Sequence, residues 1–296
     1  MEALFIGHSY IDVTFVTDTI PAGDDKALAK DYSFGIGGNA MVAAFACSKF
    51  GRHPDLLIPI ADDWLGDMML RKCALSGIRV YNRKVRKSSL SLVLPNNGQR
   101  AVLRCRDASY STPFPKLDVR MYDALHIDGH QMDAALHYAK TFREAGKLTS
   151  LDGGGVRPKT EELLKYIDVA IVSERFAEQL KKTPEETVDY LIEKGVKVAG
   201  ITQGEKGLIY AVDGKIETLK AIPVPKGAVV DSTGAGDIFH GAYMYSYLSD
   251  KDKSWRDHFK FARAASAISV QKLGAESSIP NVSEIHNLME DYADLD

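Results

Sequence analysis

The stretch 231-DSTGAGDIFHGAYMYSYLS-249 places small residues directly before a long apolar and aromatic run. Small residues let the backbone approach a ligand closely, and the first N–H groups of a helix have no intrahelical acceptor. The helix dipole adds positive potential at the same end. The stretch therefore predicts a buried helix whose leading turn, Thr233-Gly234-Ala235-Gly236, binds an anion such as a phosphate group.

Asp237 stands in the first turn of this predicted helix. The helix dipole alone favours an acid there, so helix stabilisation is one explanation. The residues that follow are apolar nearly all round, which predicts a central helix, and a carboxylate at its buried end is costly unless it is paired, hydrated or used. An acid beside an anion site suits phosphoryl transfer, because it can take a proton from the acceptor hydroxyl while N–H groups stabilise the phosphoryl charge.

The composition is that of an ordinary soluble globular protein, with 45% hydrophobic and 26% charged residues among 296. The net charge of −3 gives no general attraction to nucleic acid or to an anionic membrane. No apolar run has the length of a membrane span, and the first residues do not have the pattern of a signal peptide. Three widely spaced cysteines fit neither a disulfide framework nor a zinc site, so we expect a cytoplasmic protein.

Apolar runs of strand length alternate with helical patterns along most of the chain. This order predicts an α/β fold with a mainly parallel sheet covered by helices on both faces. The predicted strands cover 3–7, 56–60, 124–128, 148–152, 169–173 and 197–202, and the predicted helices cover 39–51, 64–77, 131–146, 159–166, 174–182 and 185–194.

Two regions, 9–34 and 88–106, show the polar–apolar alternation of amphipathic strands, and 95-PNNG-98 predicts a hairpin turn. They predict a small β-sheet beside a ligand crevice, in the position of a lid. The basic run 83-RKVRK-87 is expected to be a solvated loop. The predicted division of the chain is a core of 1–11, 35–87 and 107–296 and a lid of 12–34 and 88–106.

The motif DSTGAGDIFHGAY resembles the C-terminal signature of the ribokinase/PfkB family of sugar kinases. The resemblance covers nearly the whole chain, from the first strand to 274-GAESSIP-280, and implies a ribokinase-like three-layer α/β/α fold with a small β-sheet lid. In the family the glycine-rich turn forms an anion hole and the final aspartate is the catalytic base. These roles would fall to Gly234, Ala235 and Gly236 and to Asp237.

The stretch 35-GIGGNA-40 has two interpretations. It matches the G-x-G-x-x-A fingerprint of a Rossmann NAD(P)-dependent oxidoreductase, although the preceding DYSF is not a buried parallel strand and no acid ends a second strand about 20 residues on. The same stretch resembles the N-terminal signature of the sugar kinases, in which Gly37, Gly38 and Asn39 bind sugar hydroxyls. Asp12 matches an early aspartate of the family with the same role.

The nucleotide site is indicated by 202-TQGEKG-207, which resembles the T-x-G-x-x-G turn of the family. The resemblance implies ATP and Mg²⁺ as cofactors. It also implies nucleotide binding by Thr202, Gly204, Gly207, Thr233 and Ser173. Many members carry N-x-x-E where this chain has 173-SERF-176, so no residue is assigned as a magnesium ligand.

The sequence says less about the acceptor molecule than about the type of reaction. The stretch 125-LHIDGH-130 resembles the ketohexokinase-like branch of the family and implies that His130 contacts the substrate. Lys26 and Arg104 match lid positions that face the far end of the sugar in the sulfofructose-kinase-like branch. Two cations there would suit a phosphate or sulfonate, and solvated charges at a lid edge are an equally good explanation.

The expected function is therefore phosphorylation of a sugar hydroxyl, on a ketose or a related small carbohydrate, with a neutral and an anionic sugar both open. A nucleoside kinase of the same fold is one alternative, and the NAD(P)-dependent oxidoreductase is a less favoured one. The resemblance further includes K⁺, which many members bind near the residue matching Asp231, and a homodimer formed through the lid.

Overall fold

The computed structural model describes residues 2–96, 99–225 and 227–295, which contain thirteen strands and nine helices. The strands are β1 (Ala3–Ile6), β2 (Tyr10–Val16), β3 (Asp31–Gly37), β4 (Asp55–Ala61), β5 (Arg79–Val85), β6 (Leu90–Asn96), β7 (Gln99–Cys105), β8 (Ala124–Ile127), β9 (Leu148–Gly153), β10 (Val169–Ser173), β11 (Val198–Thr202), β12 (Leu208–Val212) and β13 (Lys215–Leu219). The helices are α1 (Asn39–Lys49), α2 (Trp64–Leu75), α3 (Met132–Glu144), α4 (Thr160–Leu164), α5 (Glu174–Leu180), α6 (Pro184–Glu193), α7 (Ala235–Ser249), α8 (Trp255–Ser269) and α9 (Val282–Asp291).

The central sheet has nine strands in the order β13-β12-β11-β10-β9-β8-β1-β4-β5. The strands from β11 to β5 in this order run parallel, and β12 and β13 add an antiparallel hairpin at one edge. Both β1 and β8 are buried along their whole length. The predicted mainly parallel sheet is thus confirmed as the middle layer of the fold.

Helices cover both faces of this sheet. On one face α1, α7 and α8 share a hydrophobic cluster with the strands, and on the other face α3, α5 and α6 share a second cluster. Burial of apolar side chains on both faces is the main favourable contribution to folding, and the predicted three-layer arrangement is confirmed. None of the described helices is long and apolar enough to cross a membrane.

Helix α7 is a central, largely buried helix, as its apolar sequence predicts. It packs between α1 and α8. Gly241 permits the contact with α1, since a Cβ at this position would lie 2.3 Å from the carbonyl oxygen of Ala43. The two glycine-rich motifs of the sequence precede these two packed helices, so the packing of α1 and α7 also fixes one motif relative to the other.

The second sheet is small and has its strands in the order β3-β2-β6-β7. Strands β2 and β3 pair antiparallel, as do β6 and β7, whereas β2 and β6 pair parallel. The predicted small sheet is confirmed; the predicted turn 95-PNNG-98 includes residues 97 and 98, which lie outside the described residues. Because β2 begins at Tyr10 and β3 ends at Gly37, the strands extend beyond the predicted lid segment 12–34.

The basic run 83-RKVRK-87 is not the solvated loop that its charge predicts. Its first three residues end β5, which pairs with β4 at the edge of the central sheet. Arg83 is buried, and its Nη1 and Nη2 atoms donate to the carboxylate of Asp133 at 2.7 and 2.5 Å. A bidentate carboxylate partner explains how a guanidinium can be buried at this position.

Candidate active site

The predicted anion-binding turn lies at the N-terminus of α7. Gly234 is the residue before the helix and has φ 79°, a left-handed conformation that favours glycine. A Cβ on Gly234 would lie 2.6 Å from the Cβ of Ala275, whereas nothing lies within 4 Å of the corresponding position on Gly236. The turn is therefore tightly packed on one side and open on the other, where Asp237 stands half-buried in the first helical turn.

Asp231 fixes this turn to the loop that follows α8. Its Oδ1 accepts from the backbone N–H of Thr233 at 2.9 Å, and its Oδ2 accepts from the backbone N–H of Gly274 at 3.0 Å. The hydroxyl of Ser266 donates to the carbonyl of Ala235 at 3.1 Å. These bonds hold the backbone of the turn in place before any ligand binds, which is the condition for strong electrostatic stabilisation.

The second glycine motif brings the lid against the core. A Cβ on Gly37 would lie 2.0 Å from Oδ2 of Asp12, and a Cβ on Gly38 would lie 2.4 Å from the carbonyl oxygen of His8. The carboxylate of Asp12 therefore contacts the backbone at the start of α1. The strand before this motif, β3, belongs to the small sheet, so the motif lacks the central parallel strand that a dinucleotide fingerprint requires.

Asp128, directly after β8, is the buried centre of a cluster of polar side chains. Its Oδ2 accepts from the backbone N–H of His8 at 3.0 Å and lies 2.7 Å from Nδ1 of the same residue. Its Oδ1 accepts from the backbone N–H of His130 at 3.0 Å. Burial disfavours the charged form, but the two histidines hold the pKa of Asp128 well below its usual range.

These contacts fix the proton on the ring of His8. The carboxylate of Asp128 only accepts hydrogen bonds, so His8 carries its proton on Nδ1 and offers Nε2 as an acceptor. Burial lowers the pKa of His8 to about 4, which leaves the ring neutral at pH 7. His130 lies between two charged groups: Nη2 of Arg157 is 2.6 Å from its Nε2 and 3.3 Å from its Nδ1, and Oδ1 of Asp128 is 3.2 Å from its Nδ1.

The predicted lid cations have different positions. The guanidinium of Arg104 lies over the ring of Tyr10, 5.4 Å from its centre, and Tyr10 meets His8 edge-on at 4.9 Å. Arg104 is therefore connected through Tyr10 to the cluster around Asp128. Lys26 is exposed in the long loop between β2 and β3, and none of the contacts among the described residues links it to this cluster.

The predicted nucleotide residues lie at the carboxyl ends of β10 and β11. Ser173 and Thr202 are directly opposite each other in register. Gly204 and Gly207 lie in the turn between β11 and β12, with φ 55° and 97°. A Cβ on Gly207 would lie 2.1 Å from the carbonyl oxygen of Leu219, so the turn packs closely against β13.

A cavity of about 570 Å³ is lined by both Asp12 and Thr233. It extends along β3 and the start of the 274–279 loop toward α1 and α2. Open space thus connects the lid carboxylate with the anion-binding turn.

The profile of the pfkB family carbohydrate kinases matches residues 2–282 of this sequence. The chain belongs to the pfkB family of carbohydrate kinases. It is 24% identical to the ribokinase of Haemophilus influenzae, over 88% of this chain and 89% of that protein. It is also 24% identical to the deoxyribokinase of Salmonella typhi, over 98% of this chain and 99% of the relative.

Solved structures of pfkB relatives share the fold. The ribokinase of Arabidopsis thaliana, solved with ribose and ATP, superposes with a TM-score of 0.82 at 24% identity and 98% coverage of both chains. The ribokinase of Thermotoga maritima gives the same TM-score at 23% identity, over 98% of this chain and 99% of its own. The ribokinase-like fold expected from the sequence is confirmed, and the protein is a phosphotransferase of the pfkB family.

Four polar residues of the candidate site were not predicted from the sequence. His8 follows β1, Asp128 follows β8, Asp152 lies near the end of β9, and Arg157 follows β9. All four share one signal, because ligands of open α/β sheets bind beyond the carboxyl ends of the parallel strands. A search of each predicted strand end for polar side chains would have found them.

Four buried histidines make the stability of this kinase sensitive to acid. Burial lowers the pKa values of His8 and His258 to about 4 and those of His126 and His240 to about 3. In the unfolded chain a histidine ring has a pKa of about 6.5. Between about pH 6.5 and 4 the unfolded state therefore binds more protons, by up to about four, and the free energy of unfolding should decrease as the pH is lowered.

Urea unfolding measured at a series of pH values gives this proton uptake from the slope of the unfolding free energy against pH. His258→Gln removes one of the four rings at a distance from the site and should reduce the uptake by about one proton. An unfolding free energy that stays constant or rises as the pH falls from about 6.5 to 4.5 would contradict the assignment.

Proposed function

We propose that this protein is an ATP-dependent kinase that phosphorylates a hydroxyl group of a ketose or a related small carbohydrate. The observation that carries the proposal is the turn before α7, which is held in place by Asp231 and is followed at once by Asp237. Membership of the pfkB family supports the same reaction. The relative from Arabidopsis thaliana, solved with ribose and ATP, supports ATP as the phosphoryl donor.

In the proposed reaction Asp237 takes the proton from the acceptor hydroxyl. The sugar oxygen then forms a bond to the γ-phosphorus in line with the bond that breaks, and ADP leaves with the electron pair of that bond. The N–H groups of Gly234, Ala235 and Gly236 stabilise the charge on the transferring group. Bound Mg²⁺, held mostly by phosphate and water, would neutralise phosphate charge.

The metal ligands stay unassigned in this proposal. Glu174 begins α5 beside Ser173, and its carboxylate lies 3.8 Å from Nζ of Lys206. This ion pair is exposed, and carboxylate oxygens suit Mg²⁺, so Glu174 fits a supporting role. Both oxygens of Asp231 accept backbone N–H groups, and we propose that K⁺, where it is used, binds close to this residue.

We assign the nucleotide to the carboxyl ends of β10 and β11 and to the anion-binding turn. The proposed contacts are Ser173, Thr202, Gly204, Gly207 and Thr233. The glycines of the turn leave room for a ligand beside the backbone. The short hairpin that follows would then form one wall of the nucleotide site.

We assign the acceptor sugar to the space between the lid and the start of α1. Its proposed contacts are Asp12, Gly37, Gly38, Asn39, His130, Arg104 and Lys26. The carboxylate of Asp12 and Nε2 of His8 are acceptors, which suits hydroxyl donors. Arg157 is half-buried and, among the described residues, has no carboxylate within ion-pairing distance. This positive charge supports testing phosphorylated and sulfonated sugars beside neutral ones.

The proposed function predicts sugar-dependent release of ADP. A coupled assay over neutral ketoses, aldoses, sugar phosphates, sulfosugars and nucleosides, with and without K⁺, identifies the acceptor. Asp237→Asn should retain ATP binding and lose at least about 100-fold in kcat, because the general base is removed. Turnover near that of the unchanged enzyme would remove Asp237 as the base, and tight NADH binding without ATP binding would overturn the kinase.

Replacement of Asp12 tests which of the two substrates this carboxylate binds. Asp12→Ala should raise the KM for the sugar by about tenfold or more, because hydrogen bonds between a charged acceptor and hydroxyl groups are lost. The KM for ATP should stay within about twofold. Steady-state kinetics with each substrate varied in turn measure both values, and a larger change for ATP would show that the two sites are assigned in reverse.

We also propose that a second copy of the chain covers the outer face of the small sheet. Val13, Phe34, Leu92 and Leu103 are paired across neighbouring strands, so their side chains share one face. Leu103 is 72% exposed. Four neighbouring apolar side chains on one sheet face are typical of a protein–protein interface.

Sedimentation equilibrium tests this homodimer. The unchanged protein is expected to sediment with twice the mass of the chain, and Leu103→Lys is expected to be a monomer because it buries a charge at the interface. Ile216→Lys is the control, since Ile216 is also exposed and lies on β13, at the edge of the central sheet. A monomeric unchanged protein would refute the dimer.

We place the protein in the cytoplasm, with a small sugar and ATP as its partners. Its three cysteines are free, which is usual in a reducing compartment. The net charge of −3 supports neither nucleic acid nor a membrane surface as a partner.

A further inference from the structure

A series of polar side chains lies below the proposed acceptor site and links α1, the strands β8 and β9, and α7. In spatial order it consists of Asn39, Asp152, His240, Tyr243, Ser150 and His126. The last five are buried. The proposed reaction uses only the first of the six, so the other five need an explanation of their own.

The series begins at a proposed sugar contact. Nδ2 of Asn39 donates to Oδ2 of Asp152 at 2.8 Å. Nε2 of His240 lies 3.6 Å from Oδ1 of Asp152, which is too long for a direct hydrogen bond but close enough for the N–H dipole to stabilise the carboxylate charge. Asp152 thus contacts the start of α1 on one side and α7 on the other.

The series continues inward through three hydrogen bonds. The hydroxyl of Tyr243 lies 3.0 Å from Nδ1 of His240 and 2.5 Å from Oγ of Ser150. Oγ of Ser150 lies 2.9 Å from Nδ1 of His126. Within the part of the chain that the structure describes, Nε2 of His126 has no hydrogen-bond partner and is buried.

An ionised Asp152 would favour one direction for all of these bonds. The carboxylate 3.6 Å away attracts an N–H dipole and repels a lone pair, so His240 would carry its proton on Nε2 and accept at Nδ1 from the hydroxyl of Tyr243. Ser150 would then donate to Tyr243, and His126 would donate from Nδ1 to Ser150. All donors point toward Asp152, and each bond polarises the next.

The same hydrogen bonds running in the opposite direction would cost more free energy. It would turn the lone pair of His240 Nε2 toward the carboxylate of Asp152, and it would leave His126 with its N–H at Nε2, buried and without an acceptor among the described residues. An unpaired buried donor is costlier and rarer than an unpaired lone pair. The arrangement of partners therefore favours the bonds that run toward an ionised Asp152.

We propose that Asp152 is a positioning residue for the acceptor sugar, held as a carboxylate by the amide of Asn39 and by the Nε2–H dipole of His240, which the hydrogen bonds that begin at His126 orient toward it. Asp152 fixes one N–H of Asn39, which leaves the second N–H and the amide oxygen of Asn39 oriented for sugar hydroxyls. His240 lies one turn after Asp237 on α7, so the same series connects the sugar contact with the helix that carries the base. The role of Asn39 in this proposal rests on the proposed function.

The groups that face Asp152 come from five directions. Asn39 reaches it from α1 and His240 from α7, while His126 and Asp128 approach from β8, with His130 in the loop that follows. The cation of Arg157 acts on it from the loop after β9. Burial raises the pKa of Asp152, the amide of Asn39 and the ring of His126 oppose this, and the negative charge of Asp128 adds to it. Weaker donation from α7 would raise this pKa further, so the protonated form would appear at higher pH.

The tautomers of two histidines test the direction of the series without any assay of activity. Long-range proton–nitrogen NMR spectra of the whole protein with ¹⁵N-labelled histidine distinguish Nδ1–H from Nε2–H rings. At neutral pH we expect His126 as the Nδ1–H form and His240 as the Nε2–H form. The opposite pair of tautomers, or a doubly protonated ring at either position, would overturn the proposal.

Tyr243→Phe removes the hydroxyl in the middle of the series and keeps the ring. The KM for the sugar should rise by about tenfold and that for ATP should change less than about twofold. The acidic limb of kcat/KM for the sugar should move to higher pH, because Asp152 takes up its proton more readily. Tyr138→Phe is the matched control: it also deletes a buried tyrosine hydroxyl, one bonded to the backbone of Pro115 and Leu117.

A Tyr243→Phe enzyme with an unchanged sugar KM, or with equal changes in both KM values, would refute the positioning role. A protein that phosphorylates no sugar at all would instead refute the proposed function, and the NMR spectra would still decide the state of Asp152. If Tyr243→Phe fails to fold, as its thermal transition would show, the tautomers of the unchanged protein remain the deciding measurement.

Discussion

The geometry of the site depends on one constraint, which is that helix α7 is enclosed by other helices where it begins. Helix α7 is enclosed by α1 and α8, so the N–H groups of its first turn cannot be left to bulk water on every side. Gly234 meets the resulting steric demand, since its left-handed backbone and its missing Cβ let the turn pack on Ala275. Asp231 then fixes the turn to the neighbouring loop. Both the anion-binding geometry and the position of Asp237 follow from this packing.

Much of the fold was predictable because the sequence patterns that indicate it involve residues close together in the chain. Helix starts, glycine turns and apolar strands depend on residues that are close in sequence, and the strand-then-helix order selects a parallel sheet. The motifs around Gly38 and Gly234 were found for the same reason, because each of these two residues has a positive φ that favours glycine. The meeting of Asp12 with Gly37 was suggested by family resemblance; physical reasoning from either segment alone could not have supplied it.

What the sequence did not reveal depends on contacts between distant segments. The basic run that begins at Arg83 has the composition of an exposed loop, and its burial depends on Asp133, fifty residues later. Asp128 and Asp152 are ordinary acids in the sequence, and their importance comes from His8 and His240, which only the folded sheet brings near. Lys26 and Arg104 were equivalent as lid cations, and only tertiary structure separates them.

The lid has a further consequence for how the enzyme works. Its strands β2 and β3 leave the core through the short segments next to His8 and Gly38, and these segments also carry the proposed acceptor contacts. The connections between the small sheet and the core and the proposed acceptor contacts are therefore the same stretch of backbone. A substitution in this stretch would alter the position of the small sheet and the proposed contacts together, so the two cannot vary independently.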